Sequence, residues 1–238
     1  MGLLSKVRKL MRRTFASAPG TMTTLGPQDV CAAYHHWYYD TEVWKTTTFL
    51  GFPCLKSVSD LWNYQEILWN LKPRLVIEFG VYSGGSSFYF SKILGLVRPD
   101  SKVFSVDVTL SLVPQEIRED PRIEFFECSS ADPKVALRIE DLRRTYPGPV
   151  FIILDSDHSA PHVYNEMMLL RGVTRPGDYL IVEDSNINGH PVLPDWGPGP
   201  FEAMEKYMAQ FPNDYAHDEA REKKFGFTFA TRGFLIRQ

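Results

Sequence analysis

Five short apolar runs end in carboxylates or polar turns and alternate with helix-length stretches, and this pattern fixes most of what the chain can fold into. The runs lie near residues 74–79, 103–107, 123–126, 149–154 and 178–182. They are continuously apolar, as strands buried on both faces are. Helical patterns near 84–96, 133–146, 159–172 and 200–211 separate them. Asp132-Pro133 reads as an N-cap followed by proline at the first helical position. Five such units predict an α/β, doubly wound, Rossmann-like and mostly parallel sheet. The tail FGFTFATRGFLIRQ reads as two strands around Thr231-Arg232-Gly233, a C-terminal antiparallel hairpin at the sheet edge.

The region before this sheet divides in two. Residues 1–26 combine Lys6, Arg8, Lys9, Arg12 and Arg13 with an apolar stripe of Leu3, Leu4, Val7, Leu10 and Met11, followed by a small-residue linker. Such a basic amphipathic segment suits peripheral contact with an anionic membrane through residues 1–16. A frayed tail, an oligomer contact and a processed targeting sequence are alternative readings. Residues 27–73 read as a helical, aromatic-rich cap. Within it Ser57 to Asp60 has the form of a capping box. The helix it opens runs to about Asn70, with Val58, Leu61, Trp62, Gln65, Leu68 and Trp69 along one side. Residues 74–238 form the main domain.

A net charge of −3 gives no electrostatic support for a nucleic-acid partner. Cys31, Cys54 and Cys128 are odd in number and lack metal-type spacing. They suit a reducing, cytoplasmic setting rather than a disulfide framework or a zinc site. No apolar run approaches the roughly 20 residues that span a bilayer. The N-terminus has no hydrophobic core of a secretory signal.

Open α/β sheets bind ligands at the carboxyl ends of their strands. Here those ends carry Glu78, Asp107, Asp155 and the pair Glu183-Asp184. The first is followed by Gly80, Tyr82, Ser83, Gly84, Gly85 and Ser86. Gly80 permits a tight turn. Gly84 and Gly85 are expected to let a ligand approach the backbone at a helix N-terminus. Tyr82 stands where a dinucleotide fingerprint needs glycine, and an acid two residues before Gly80 would repel phosphate. That combination suits S-adenosylmethionine, which carries an α-amino group and no phosphate. Asp107 is positioned to accept both ribose hydroxyls, and Ser129, Ser130 and Asp132 follow the third strand near the expected adenine.

Asp155, Asp157, His158, Glu183 and Asp184 form a second group at neighbouring strand ends. Crowded carboxylates repel unless a cation shares the site. Oxygen ligands without cysteine suggest Mg²⁺ or a similar ion. A cation held by Asp155, Glu183 and Asp184 would activate an acceptor hydroxyl, with His158 or Asp157 as the base and His190, in a Pro/Gly-rich loop, as a weaker candidate.

The stretch Glu78–Ser86 resembles the first motif of catechol O-methyltransferase-like enzymes. That resemblance implies that Glu78, Gly80, Tyr82 and Ser86 contact S-adenosylmethionine, with Asp107 at the ribose and Ser130 near adenine. It further implies a metal triad at Asp155, Glu183 and Asp184, with His158 where those enzymes place a lysine base. Glu183-Asp184 stands in place of a more usual Asp-Asn. A longer resemblance covers roughly residues 44–238. The strings GFPCLKSVSDLWNYQEILW, LDSDHS and YLIVEDSNINGHPVLPDWGPGP are similar to the cephalosporin hydroxylase/rhamnosyl O-methyltransferase family. No iron facial triad accompanies them, so the resemblance implies a metal-assisted O-methyltransferase acting on a small-molecule or glycan hydroxyl. A nicotinamide oxidoreductase and a non-catalytic nucleotide-binding or assembly protein are the competing readings. The first lacks its glycine fingerprint, and the second leaves the intact acid cluster without a purpose.

Overall fold

A computed structural model describes residues 26–238 of the protein. The expectations for residues 1–25 lie outside the described residues. The cap opens with α1 (Pro27–Asp40), a 3₁₀ turn (Val43–Thr46) and a short antiparallel pair, β1 (Thr48–Phe49) and β2 (Phe52–Pro53). It closes with α2 (Val58–Leu71). The main domain then runs β3 (Leu75–Phe79), α3 (Gly85–Val97), β4 (Lys102–Asp107), α4 (Gln115–Arg118), β5 (Ile123–Glu127), α5 (Pro133–Thr145), β6 (Val150–Leu154), α6 (Ala160–Arg171) and β7 (Tyr179–Val182). It ends with α7 (Pro200–Gln210), β8 (Tyr215–His217), α8 (Glu219–Lys223) and β9 (Phe234–Arg237).

The seven-stranded sheet has the order β5-β4-β3-β6-β7-β9-β8. Strands β3 to β7 pair in parallel, while β9 runs antiparallel between β7 and β8. Every residue of β3, β6 and β7 is buried, which is why these strands read as unbroken apolar runs. One face packs on α5, α6 and α7 through residues such as Ile139, Met167 and Tyr207. The other packs on α2 and α3 through Tyr64, Leu68, Phe90 and Leu94. No helix among the described residues is long and apolar enough to cross a membrane.

Three sequence expectations change here. The antiparallel edge is present, but only Phe234–Arg237 of the tail is a strand, and its outer partner is Tyr215–His217 rather than the segment before Thr231. That segment is drawn into the cap instead. Phe227 stacks on His35 and packs against Tyr38, and Phe229 meets Tyr39 and Trp44 edge-on. The capping box at Ser57 is also not formed. Ser57 makes no side-chain cap bond, and Asp60, fully buried, accepts from Thr228 Oγ1 at 2.6 Å and the Phe229 N–H at 2.9 Å. Helix α2 therefore buries Asp60, Asn63, Tyr64, Ile67 and Leu68. Of the expected stripe Leu68 is buried and Leu61 packs on the core, but Val58, Trp62 and Trp69 face outward.

Candidate active site

Strand order reverses at β3, whose neighbours are β4 on one side and β6 on the other. A crevice opens at the carboxyl ends of such strands. The register brings the key residues to one level. Gly80 N–H donates to Val106 O, Asp155 N–H to Phe79 O and Glu183 N–H to Leu154 O. The sequence-distant residues 80, 107, 155 and 183 thus meet along a single edge.

Glu78 is fully buried inside β3. Its Oε2 accepts from Ser87 Oγ and, at 3.0 Å, from Ser105 Oγ, the residue paired with it on β4. Its Oε1 is buried without a partner. Burial pushes this carboxyl up, against the opposing pull of Lys56 and of Ser86, Ser87 and Ser105. A buried acceptor without a donor is costly, and the ammonium of an amino-acid-like ligand has the chemistry to supply one.

The glycines of the turn serve purposes different from those expected. Gly80 has φ +94°, and a Cβ there would fall 1.8 Å from Asp155 O, so it lets the turn lie against β6. A Cβ on Gly85 would meet Pro53 O at 1.8 Å, and one on Gly84 would crowd Val113 and Ile117. Cap and core, rather than a ligand, fill the space that Gly84 and Gly85 leave. Asp107 is also more committed than expected. Its Oδ2 accepts from the Val81 and Tyr82 N–H groups at 2.7 and 3.1 Å, and its Oδ1 from Thr109 N–H. It braces the turn. Tyr82 and Ser86 line the same cavity as Gly80.

On the adenine side, Ser129 stays at the surface while Ser130 is buried. Ser130 Oγ donates to Glu166 Oε1 and lies 2.9 Å from His162 Nε2. Ser130 is therefore held by Glu166. Serine and carboxylate both face the same imidazole nitrogen, so this is not a nucleophile-activating relay. Asp132 caps α5 by accepting from Lys134 N–H.

The second group converges only in part. Asp155, His158 and Asp184 each offer a ligand atom, all within 4.8 Å of one another. His158 Nε2 lies 3.6 Å from Asp155 Oδ1 and 3.3 Å from Asp184 Oδ2. Two carboxylate oxygens and an imidazole nitrogen are a donor set that fits a divalent cation. Glu183 is turned away, contrary to expectation. It is buried, accepts from Tyr64 Oη at 2.6 Å and lies 3.4 Å from Lys56 Nζ. Asp157 is exposed, accepts from Ser159 N–H ahead of α6 and does not line the cavity that His158 faces. His190 is elsewhere, stacked on Phe201 and bonded to Glu202, lining a separate cavity of about 800 Å³ between α1 and the 222–232 segment.

Lys56, which the sequence reading did not single out, also reaches the cluster. Its side chain is 2% exposed, and Nζ donates to Asp155 Oδ2 at 2.6 Å. Burial would lower its pKa, but Asp155 and Glu183 outweigh that and hold it well above the usual lysine range. Burial would raise Asp155, yet Lys56 and His158 hold it below the ordinary carboxylate value. Burial pushes Asp184 up, with His158 opposing. His158 itself is raised to about 9, because Asp184 and Asp155 outweigh its burial.

One cavity of about 240 Å³ joins the glycine turn to the Asp155–His158–Asp184 cluster. Trp44 and the 53–56 segment form one wall, Gly80 to Ser86 another, and Asp155, His158 and Asp184 the floor.

Comparison with known proteins gives this arrangement its family. The family described as rhamnosyl O-methyltransferase/CmcI matches residues 41–238. A rhamnosyl O-methyltransferase of Mycobacterium tuberculosis (strain ATCC 25618 / H37Rv) is 55% identical over 212 residues, 89% of this chain and 86% of that protein. One from Mycobacterium leprae (strain TN) is 52% identical over 228 residues, 96% and 99% of the two chains. The apo structure of CmcI-N160 superposes with a TM-score of 0.64 at 25% identity, covering 81% of this chain and 76% of CmcI. A CmcI-D160 structure described as Mg-SAM has a TM-score of 0.62 at 23% identity over 82% and 77%, a likeness of fold. The chain belongs to the rhamnosyl O-methyltransferase/CmcI family, and is an S-adenosylmethionine-dependent O-methyltransferase of the class I fold.

Proposed function

We propose that the enzyme methylates a sugar hydroxyl, with a rhamnosyl unit as the acceptor class, assisted by a divalent cation such as Mg²⁺. The observation that carries this reading is the shared cavity. The turn expected to hold the methyl donor and the Asp155–His158–Asp184 cluster line the same 240 Å³ space. The names of relatives at 52 to 55% identity support the sugar acceptor.

When bound, S-adenosylmethionine supplies an electrophilic methyl group, and a divalent cation supplies Lewis acidity at the acceptor oxygen. The chain's own residues do the rest. Glu78 Oε1 would accept from the donor's ammonium, and Asp107, Tyr82 and Ser86 would orient its ribose and amino-acid parts. Asp155 and Asp184 would hold the cation. His158, with Nε2 3.6 and 3.3 Å from those two carboxylates, would stand beside it as the base that takes the acceptor proton. Trp44 offers an apolar wall against which a sugar ring can stack. Fixing donor and acceptor in line supplies much of the rate.

The test is incubation of the purified protein with labelled S-adenosylmethionine and rhamnosyl glycosides. The expected product gains one CH₂ on a ring hydroxyl. Transfer to catechols or other non-sugar hydroxyls and not to any rhamnosyl glycoside would refute the acceptor class. For residues 1–16, peripheral contact with anionic lipid is our reading of the basic stripe. Flotation with anionic liposomes that is unchanged by deleting those residues would end it.

A further inference from the structure

We propose that Lys56 is a positioning residue for the cation site. Its buried ammonium selects which carboxylates face the cavity and limits how tightly a cation is held. The inference rests on the cation reading above. The ends of β6 and β7 present Asp155, Glu183 and Asp184, three carboxylates in one small space. Lys56 Nζ takes Asp155 Oδ2 at 2.6 Å and approaches Glu183 Oε1 at 3.4 Å. Tyr64 Oη donates to that same glutamate oxygen. Asp155 is left with Oδ1 turned toward His158, and Glu183 Oε1 is taken by Tyr64 and Lys56. The outward-facing set is thereby reduced to one oxygen of Asp155, Asp184 and His158.

The ammonium reaches this place because the cap delivers it. Pro53 O closes over Gly85, Cys54 N–H donates to Thr47 O, and Ser57 begins α2, so Lys56 is pinned between two fixed points. A fully buried lysine is retained only where its charge is matched. Here the match is to the cluster rather than to solvent. A positive charge beside a ligand carboxylate opposes a second cation, since interactions at this distance are only weakly screened inside a protein. Lys56 thus sets both the geometry and the electrostatic level of the site.

The experiment uses Mn²⁺ as the probe, with its binding measured by electron paramagnetic resonance on the full chain without substrates. Lys56→Met, similar in length and neutral, should bind Mn²⁺ at least tenfold more tightly than wild type. S-adenosylhomocysteine affinity should stay within about threefold, which a general loss of structure would not permit. Glu183→Gln provides the second arm, and it decides the matter if Lys56→Met does not fold. If Glu183 is the partner of Lys56 rather than a ligand, this variant should weaken Mn²⁺ binding by less than about tenfold, where Asp184→Asn weakens it a hundredfold or more. Mn²⁺ affinity that is unchanged or weaker in Lys56→Met, or Glu183→Gln as damaging as Asp184→Asn, overturns the proposal. A wild-type protein that binds no Mn²⁺ refutes the cation reading itself, and this inference with it.

Discussion

Three glycine-to-alanine substitutions separate backbone strain from steric overlap and locate the joint on which the site depends. Gly177 has φ +91° with open space around its missing Cβ, so alanine there meets strain alone. Holding a non-glycine residue in that region costs about 1–2 kcal/mol. Gly85 is the converse case: its φ is ordinary, but a Cβ would lie 1.8 Å from Pro53 O. Contacts under 3 Å to a backbone atom force a displacement of an ångström or more, at about 1–3 kcal/mol. Gly80 carries both burdens, with φ +94° and a Cβ 1.8 Å from Asp155 O. Gly80→Ala should therefore cost about 2–5 kcal/mol, the sum of the other two. The consequences for function should differ more than the stabilities. Gly80→Ala pushes on the peptide that carries Asp155, so it should lower both S-adenosylhomocysteine and Mn²⁺ affinity. Gly177→Ala should leave both intact. Urea denaturation gives the stabilities and titration calorimetry the affinities. A Gly80→Ala protein as stable as Gly177→Ala, with unchanged cofactor affinity, would refute the reasoning.

Asp60→Ala should destabilise the protein by about 2–4 kcal/mol in the same denaturation assay, because it strands the buried Thr228 hydroxyl and Phe229 N–H. His35 is 4% exposed, and burial, then the neighbouring His36, lowers its pKa to about 4. Its folded value is depressed below the ordinary 6.5, so its stability contribution is whole above pH 6.5 and is lost as pH falls toward 4. Wild type should lose about 2 kcal/mol relative to His35→Gln between pH 7 and 5, read from paired melts. Pairing the variants cancels Asp60, which burial raises to about 6 and which acts in the opposite direction. Asp107→Ala should weaken S-adenosylhomocysteine binding by about 2–3 kcal/mol by calorimetry, through lost hydrogen bonds and a loosened Val81-Tyr82 turn.

The sheet was legible because parallel strands buried on both faces leave a local mark in the sequence. Asp155 and Asp184 were legible for the same reason, since each sits where such a run ends. What stayed hidden depends on partners distant in the chain. Lys56 lies 99 residues from Asp155 and belongs to no periodic pattern. Its single signal is a lysine in a short segment otherwise apolar and small, just ahead of a helix. Asp60 looked like the third residue of a capping box, yet its bonds run 168 and 169 residues away. That tether explains the rotated face of α2. Asp60, Asn63 and Tyr64 are buried with hydrogen bonds to Thr228, Arg221 O and Glu183, and hydrophobicity alone assigned the face to Trp62 and Trp69. Gly84 and Gly85 were read as room for a ligand, although the space they leave is filled by the cap and core.

Dependence of methyl transfer on a divalent cation tests the central claim most directly. Turnover with a rhamnosyl acceptor should vanish in excess EDTA, return with Mg²⁺ and be lost in Asp184→Asn, while S-adenosylhomocysteine affinity stays nearly unchanged throughout. That separation is expected because the proposed cofactor partners, Glu78 and Asp107, lie on β3 and β4, while Asp155 and Asp184 lie at the ends of β6 and β7. Full turnover in excess EDTA, or equal loss of cofactor binding and transfer, would contradict the account.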